Sequence, residues 1–94
     1  MNTLVNTVVD GGNRRVLVST AKNVITRQRY ETMVFPIVDG EPDFYNSLVA
    51  DIHDGHTQVL NTEAIDALRS HVEVCRFYGA RSIPLNFDEM LRNY

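Results

Sequence analysis

At Thr62 the recurrence of apolar residues changes from every second position to every third or fourth, and this change restricts what the chain can fold into. From Thr62 to Tyr78 the pattern is that of a helix. Ile65, Leu68, Val72 and Cys75 form one stripe, with Ala64, Ala67, His71, Val74 and Tyr78 beside it. Asp66, Arg69, Ser70, Glu73 and Arg76 fall on the opposite side. Asn61 or Thr62 is expected to cap the start, Glu63 and Asp66 suit the positive end of the helix dipole, and Gly79 stands where a left-handed residue ends a helix. A helix divided in this way needs an apolar surface to lie on, and the preceding half of the chain reads as strands.

Thr3 to Val9 alternates β-branched with other residues and runs into Asp10-Gly11-Gly12-Asn13, a turn sequence. Arg15 to Ala21 alternates in turn, so the two runs predict a β-hairpin. Tyr30 to Val38 (YETMVFPIV) is apolar on both faces, with Met33, Phe35 and Ile37 on one and Thr32, Val34 and Val38 on the other. Pro36 donates no hydrogen bond and predicts an edge strand, one that a second subunit would cover. Asp39 to Asp43 is a polar turn. Ser47 to His53 and His56 to Leu60 are expected to form a second hairpin around Asp54-Gly55. Arg81 to Leu85 reads as a short extended segment. Asn86 to Tyr94 then reads as a short helix with Phe87, Met90, Leu91 and Tyr94 on one face, too short to stand without docking. Together these predict an α+β fold for a single domain over residues 1–94. Its parts are a small, mainly antiparallel sheet of three to five strands, one main amphipathic helix on one face and a short C-terminal helix. The expected core is Val16, Val18, Met33, Phe35, Ile37, Ile65, Leu68, Val72 and Cys75.

Charge divides along the chain. Residues 1–35 hold five basic against two acidic residues, a net +3, whereas residues 36–94 hold four arginines against ten acids, a net −6. Such a split makes either a polarised surface or two halves that attract one another. Arg14, Arg15, Arg27 and Arg29 form a candidate basic surface, with Tyr30 available for stacking. The net charge of −3 and pI near 5.5 argue against nucleic acid as its partner. No stretch approaches the roughly 20 apolar residues of a membrane span, and Met1 to Val9 lacks the basic and apolar regions of a secretion signal. The single cysteine, Cys75, cannot form an internal disulfide and fits a reducing cytoplasm.

The densest group of ligand-type residues is Asp51, His53, Asp54 and His56 around the Asp-Gly turn, with His71 as a conceivable third imidazole. Its spacing matches no metal motif, so a polar turn with exposed histidines is the plainer account, and no cofactor is expected. His71 and Cys75 lie one helical turn apart, but a nucleophilic site also needs an orienting group and a cleft, and the expectation is not an enzyme. His71 reads instead as a half-buried core histidine bonded to a neighbouring carbonyl, and Cys75 as a small buried hydrophobe. Asp10 to Asn13 lacks the ending of a phosphate-binding loop.

Three strings resemble a group of small uncharacterised proteins of actinobacteria and their phages. They are Asp10-Gly11-Gly12 leading into Arg15-Val16-Leu17-Val18-Ser19-Thr20, Tyr30-Glu31-Thr32-Met33-Val34-Phe35-Pro36, and Asp66-Ala67-Leu68-Arg69-Ser70-His71. The chain departs from that pattern between Asp43 and Thr57 and beyond Phe77. The resemblance implies a phage-related protein that acts by binding a host or phage protein, and it carries no site residues. With it, the sequence is read as a non-enzymatic, homodimeric protein-interaction module whose expected contact residues are Tyr30, Val34, Pro36, Phe87, Met90, Leu91 and Tyr94. A small-ligand or metal-binding protein using Asp51 to His56 is the alternative.

Overall fold

The computed structural model describes residues 2–11, 14–23, 29–48 and 59–80. Within them, β1 (Asn2–Asp10), β2 (Arg15–Asn23), β3 (Arg29–Val38), β4 (Glu41–Pro42) and β5 (Val59–Asn61) precede α1 (Ala64–Phe77). All pairings are antiparallel. The order is β1-β2-β3-β4, with β5 also on β3. The α+β architecture read from the sequence is therefore the one observed.

The first hairpin forms as its alternation predicts. Val5, Thr7 and Val9 lie opposite Thr20, Val18 and Val16, and these in turn lie opposite Thr32, Val34 and Pro36 on β3. Side chains on this face point at α1. A register shift between Thr3 and Val5 makes Leu4 the extra residue of a bulge, which lets two consecutive side chains, Leu4 and Val5, both enter the core. The β3–β4 connection is a two-residue Asp39-Gly40 turn with φ of 53° and 80°, the positive pair that a twist-matched hairpin needs.

Strand β3 is not an edge, which corrects the reading drawn from Pro36. Its far side is covered in sequence by β5 at Tyr30–Thr32, by the loop after β4, and by β4 at Ile37 and Val38. In that loop the Leu48 N–H donates to the Val34 carbonyl at 3.0 Å and the Asp43 N–H to the Pro36 carbonyl at 2.8 Å. In an antiparallel strand the N–H and C=O of one residue point the same way. The nitrogen of Pro36 therefore faces the irregular loop, away from β2, and the missing donor costs the ladder nothing. The chain covers the second side of β3 itself, so a second subunit is not required there.

Helix α1 is turned about one position from the stripe read in the sequence. Ala67, Leu68, His71, Val74 and Cys75 are buried, whereas Ile65 and Val72 are only half-buried. Alanine at 67 lets the helix approach the sheet, and His71 can be central because hydroxyls on the sheet receive its ring. Met33 and Ile37 are half-buried as well, because the face of β3 under α1 is that of Tyr30, Thr32 and Val34. Phe35, on the opposite face, packs edge-on against Phe44 at 4.9 Å between ring centres. The capping expectation also changes: Glu63 is the N-cap and its side chain makes no capping hydrogen bond.

The C-terminal end of α1 follows the sequence closely. The Gly79 N–H donates to the Arg76 carbonyl and the Ala80 N–H to the Cys75 carbonyl, both at 3.0 Å, with Gly79 at φ 108°. This is a Schellman closure, which satisfies carbonyls a helix end would otherwise leave open. It also meets the first hairpin. A Cβ on Gly11 would collide with the Tyr78 carbonyl oxygen, and one on Gly79 would lie 3.1 Å from the Gly11 Cα. Two glycines thus let the β1–β2 turn and the helix end touch backbone to backbone. The second hairpin falls mostly on residues 49–58, outside the described residues, as do the segment 81–85 and the helix 86–94. At its described flanks, Ser47 and Leu48 are not in a strand, and Val59–Asn61 pairs with β3.

Replacing Gly11 by Ala should cost about 1–3 kcal/mol, because backbone rather than a flexible side chain must yield. Gly40→Ala, at φ +80° with nothing within 4 Å, should cost only its conformational strain. Urea titrations of the two variants compare them directly, and equal losses would contradict the close contact at Gly11.

Candidate functional site: the buried histidine and the edge of β1

His71 occupies the middle of the helix–sheet interface with no exposed surface. Its two ring nitrogens meet two strands. Nε2 is 2.8 Å from the Thr7 hydroxyl on β1, and Nδ1 is 2.8 Å from the Thr20 hydroxyl on β2. Thr20 continues to the Thr32 hydroxyl on β3 at 2.7 Å. A neutral ring carries one N–H and one lone pair, and each hydroxyl can donate or accept, so either tautomer completes the chain of bonds. Among the described residues no buried side-chain nitrogen or oxygen is left without a partner.

The sequence expectation of a carbonyl partner for His71 is corrected to two hydroxyls, and its half-burial to full burial. Burial lowers the imidazole pKa from 6.5 to about 4, so the ring is neutral near pH 7. Burial likewise raises the Cys75 thiol to about 11, against a smaller opposing effect of the Thr7 hydroxyl. A hydroxyl–imidazole–hydroxyl chain has the connectivity of a proton relay. Here its ring is sealed from solvent and a poor base, and its observable consequence is to tie α1 to three strands at once.

The remaining sequence candidates separate. Val34 is fully buried beneath α1 and Tyr30 is buried beside Leu68, so both are spent on the core and neither offers itself to a partner. Pro36 is half-buried opposite Val16. Arg14 and Arg15 are exposed at the β1–β2 turn, while Arg27 and the side chain of Arg29 lie outside the described residues. So do Asp51, His53, Asp54 and His56, and Phe87, Met90, Leu91 and Tyr94. No group of three or more His, Cys, Asp or Glu that could hold a metal occurs among the described residues. A groove of about 520 Å³ runs along the outer side of α1, lined by Arg69, Val72, Glu73 and Arg76.

The surface that the sequence reading missed is the edge of β1. The bonds from β3 to its outer neighbours fix which way each residue's main chain points: even-numbered residues of β3 face away from β2 and odd-numbered ones toward it. Carried through the register, odd-numbered residues of β2 face β3 and even-numbered ones face β1. Val5, Thr7 and Val9 therefore bond β2, and Asn6 and Val8 point their N–H and C=O outward. The Gly11 N–H to Arg14 carbonyl bond, one step beyond the Asp10–Arg15 pair, has the parity this requires. Among the described residues β1 pairs only with β2. Exposure on the face away from α1 falls from β1 inward: Val8 is exposed, Leu17 half-buried and Phe35 buried along one row, and Asn6 is exposed with Ser19 and Met33 half-buried along the next.

Stability should fall with acid through His71. With a folded pKa of about 4 and an ordinary 6.5 when unfolded, the ring's contribution is complete above pH 6.5. It is lost as pH falls from there toward 4, by up to about 3 kcal/mol. Urea unfolding in steps between pH 7.5 and 4.5 measures it; a flat profile for the native chain contradicts the buried neutral ring. Thr20→Val, which removes the hydroxyl facing Nδ1, should cost about 1–3 kcal/mol at pH 7.

In comparisons with known proteins, no family model matches the chain, and no curated protein or solved structure does so either.

Proposed function

We propose that this chain is a non-enzymatic protein-interaction module that takes an extended strand onto the edge of β1. The observation that carries the reading is the outward main chain of Asn6 and Val8, which lie C-terminal to the bulge on the regular part of β1. From Asn2 to Val9 there is no charged residue and no proline, two of the devices that blunt an exposed edge. Val8 adds apolar surface there, 52% exposed. Edges of this kind are the receiving side in strand-addition complexes, where main-chain hydrogen bonds give affinity and alternate side chains give selectivity.

The reading keeps a cytoplasmic setting, in line with one buried, reduced cysteine, and a protein partner of host or phage origin, in line with the resemblance of its strings to actinophage proteins. It moves the contact residues from Tyr30, Val34 and Pro36 to Asn6 and Val8. A homodimer is one form such an interaction takes.

Asn6→Pro tests the reading. It deletes one outward N–H while leaving the bonds of Val5, Thr7 and Val9 to β2 in place, and an edge tolerates proline. The variant should keep its circular dichroism spectrum and lose at least about tenfold in affinity for whatever protein the native chain binds, itself included. Unchanged association in a folded variant would contradict strand addition at β1.

A further inference from the structure

Resting on the reading of β1 as a receiving edge, we propose that the strand it takes is β1 of a second copy, running antiparallel, with the two-fold axis at Val8. Three observations choose this occupant and register. The first is parity. Only residues with outward main chain can exchange hydrogen bonds across the new edge, so Asn6 and Val8 must face outward-pointing residues of the partner. This leaves registers centred on Asn6, Thr7 or Val8.

The second is the bulge. The shift between Thr3 and Val5 ends the regular edge at its N-terminal side. A pairing centred on Asn6 would oppose Val8 to the partner's Leu4, inside the irregularity, and one centred on Thr7 would bring Leu4 opposite the partner's Asp10. Centring on Val8 confines the contact to Asn6–Asp10, clear of the bulge.

The third is side-chain chemistry on the outer face. In the Val8 register the exposed valine meets the partner's Val8, which buries apolar surface on both copies. Asn6 lies opposite the partner's Asp10, where a carboxamide N–H can donate to a carboxylate. The two Asp10 carboxylates stand at opposite ends of the pairing, so no like charges face each other. The strand is thus complementary to its own reversed copy. The result is one continuous sheet through two molecules, with both α1 helices on the same face of it and the isologous geometry of a closed dimer.

Cross-linking reads the register. Val8→Cys places two thiols in a directly opposed pair about 5.5 Å apart at Cα, a spacing that a disulfide spans. The native Cys75 is buried with its thiol raised to about 11, so it competes little. Under mild oxidation Val8→Cys should become a covalent dimer at least about tenfold faster than Asn6→Cys, whose copies are four residues out of register. Val8→Lys, exposed in the single chain and so compatible with folding, should sediment as a monomer where the native chain sediments as a dimer. A native chain that is monomeric at high micromolar concentration overturns the self-pairing. If Asn6→Pro still releases a different bound protein in that case, strand addition at β1 stands and only its occupant was wrong. A dimer in which Asn6→Cys cross-links as fast as Val8→Cys overturns the register.

Discussion

The position of α1 depends on one imidazole. His71 reaches Thr7 with one nitrogen and Thr20 with the other, and Thr20 passes the connection to Thr32. Each bond contributes only about 0.5–1.5 kcal/mol net, but leaving any of these groups buried without a partner costs about 1–3 kcal/mol. That difference makes the network selective. Sliding or rotating the helix would strand several polar groups together, whereas a purely apolar interface would tolerate the slip. The network also divides the core. Leu4, Val5, Tyr30, Ala67 and Leu68 pack on its N-terminal side of the helix, and Val9, Val16, Val18, Val34, Val74 and Cys75 on the other. Hydrophobic burial supplies most of the stability, and the polar layer between the two clusters fixes their alignment.

Around this fixed helix the chain treats its two sheet edges differently. The outer side of β3 is closed by pieces of three segments, including main-chain bonds from Asp43 and Leu48, and Tyr78 ties that loop to the helix end by donating its hydroxyl to the Leu48 carbonyl. The edge of β1 receives no such cover among the described residues. On its other side β1 is held by its pairing with β2, by the Thr7 bond to His71 and by the contact between Gly11 and the Tyr78 carbonyl. A strand already ordered by such contacts has little conformational entropy left to lose on taking a partner, which is the condition under which a few main-chain bonds suffice for binding.

Much of this fold was legible in the sequence. The hairpin, the strand YETMVFPIV, the helix and its Gly79 terminus follow from alternation, turn residues and the change of period. Three features were not, and each for a definite reason. Hydrophobicity treats His71 as polar, so the sequence centres the stripe on Ile65, Leu68, Val72 and Cys75, of which only Leu68 and Cys75 are buried; only the sheet shows that threonines await the ring. Pro36 looked like an edge marker, because one sequence does not reveal which side of a strand a missing N–H faces. That β1 pairs only with β2 among the described residues depends on strand order, and strand order is a tertiary property. A signal for the polar layer was nonetheless present: Thr7, Thr20 and Thr32 each occupy an inward position in otherwise valine-rich strands.

The central claim, that a neutral, doubly bonded His71 sets the helix on the sheet, is most directly tested by nitrogen-15 NMR of the imidazole rings. His71 should show one tautomer, a slowly exchanging ring proton and no titration between pH 7 and 5. A His71 ring that titrates near 6.5 with fast proton exchange would mean that it is open to water, and the account of the core would fall with it.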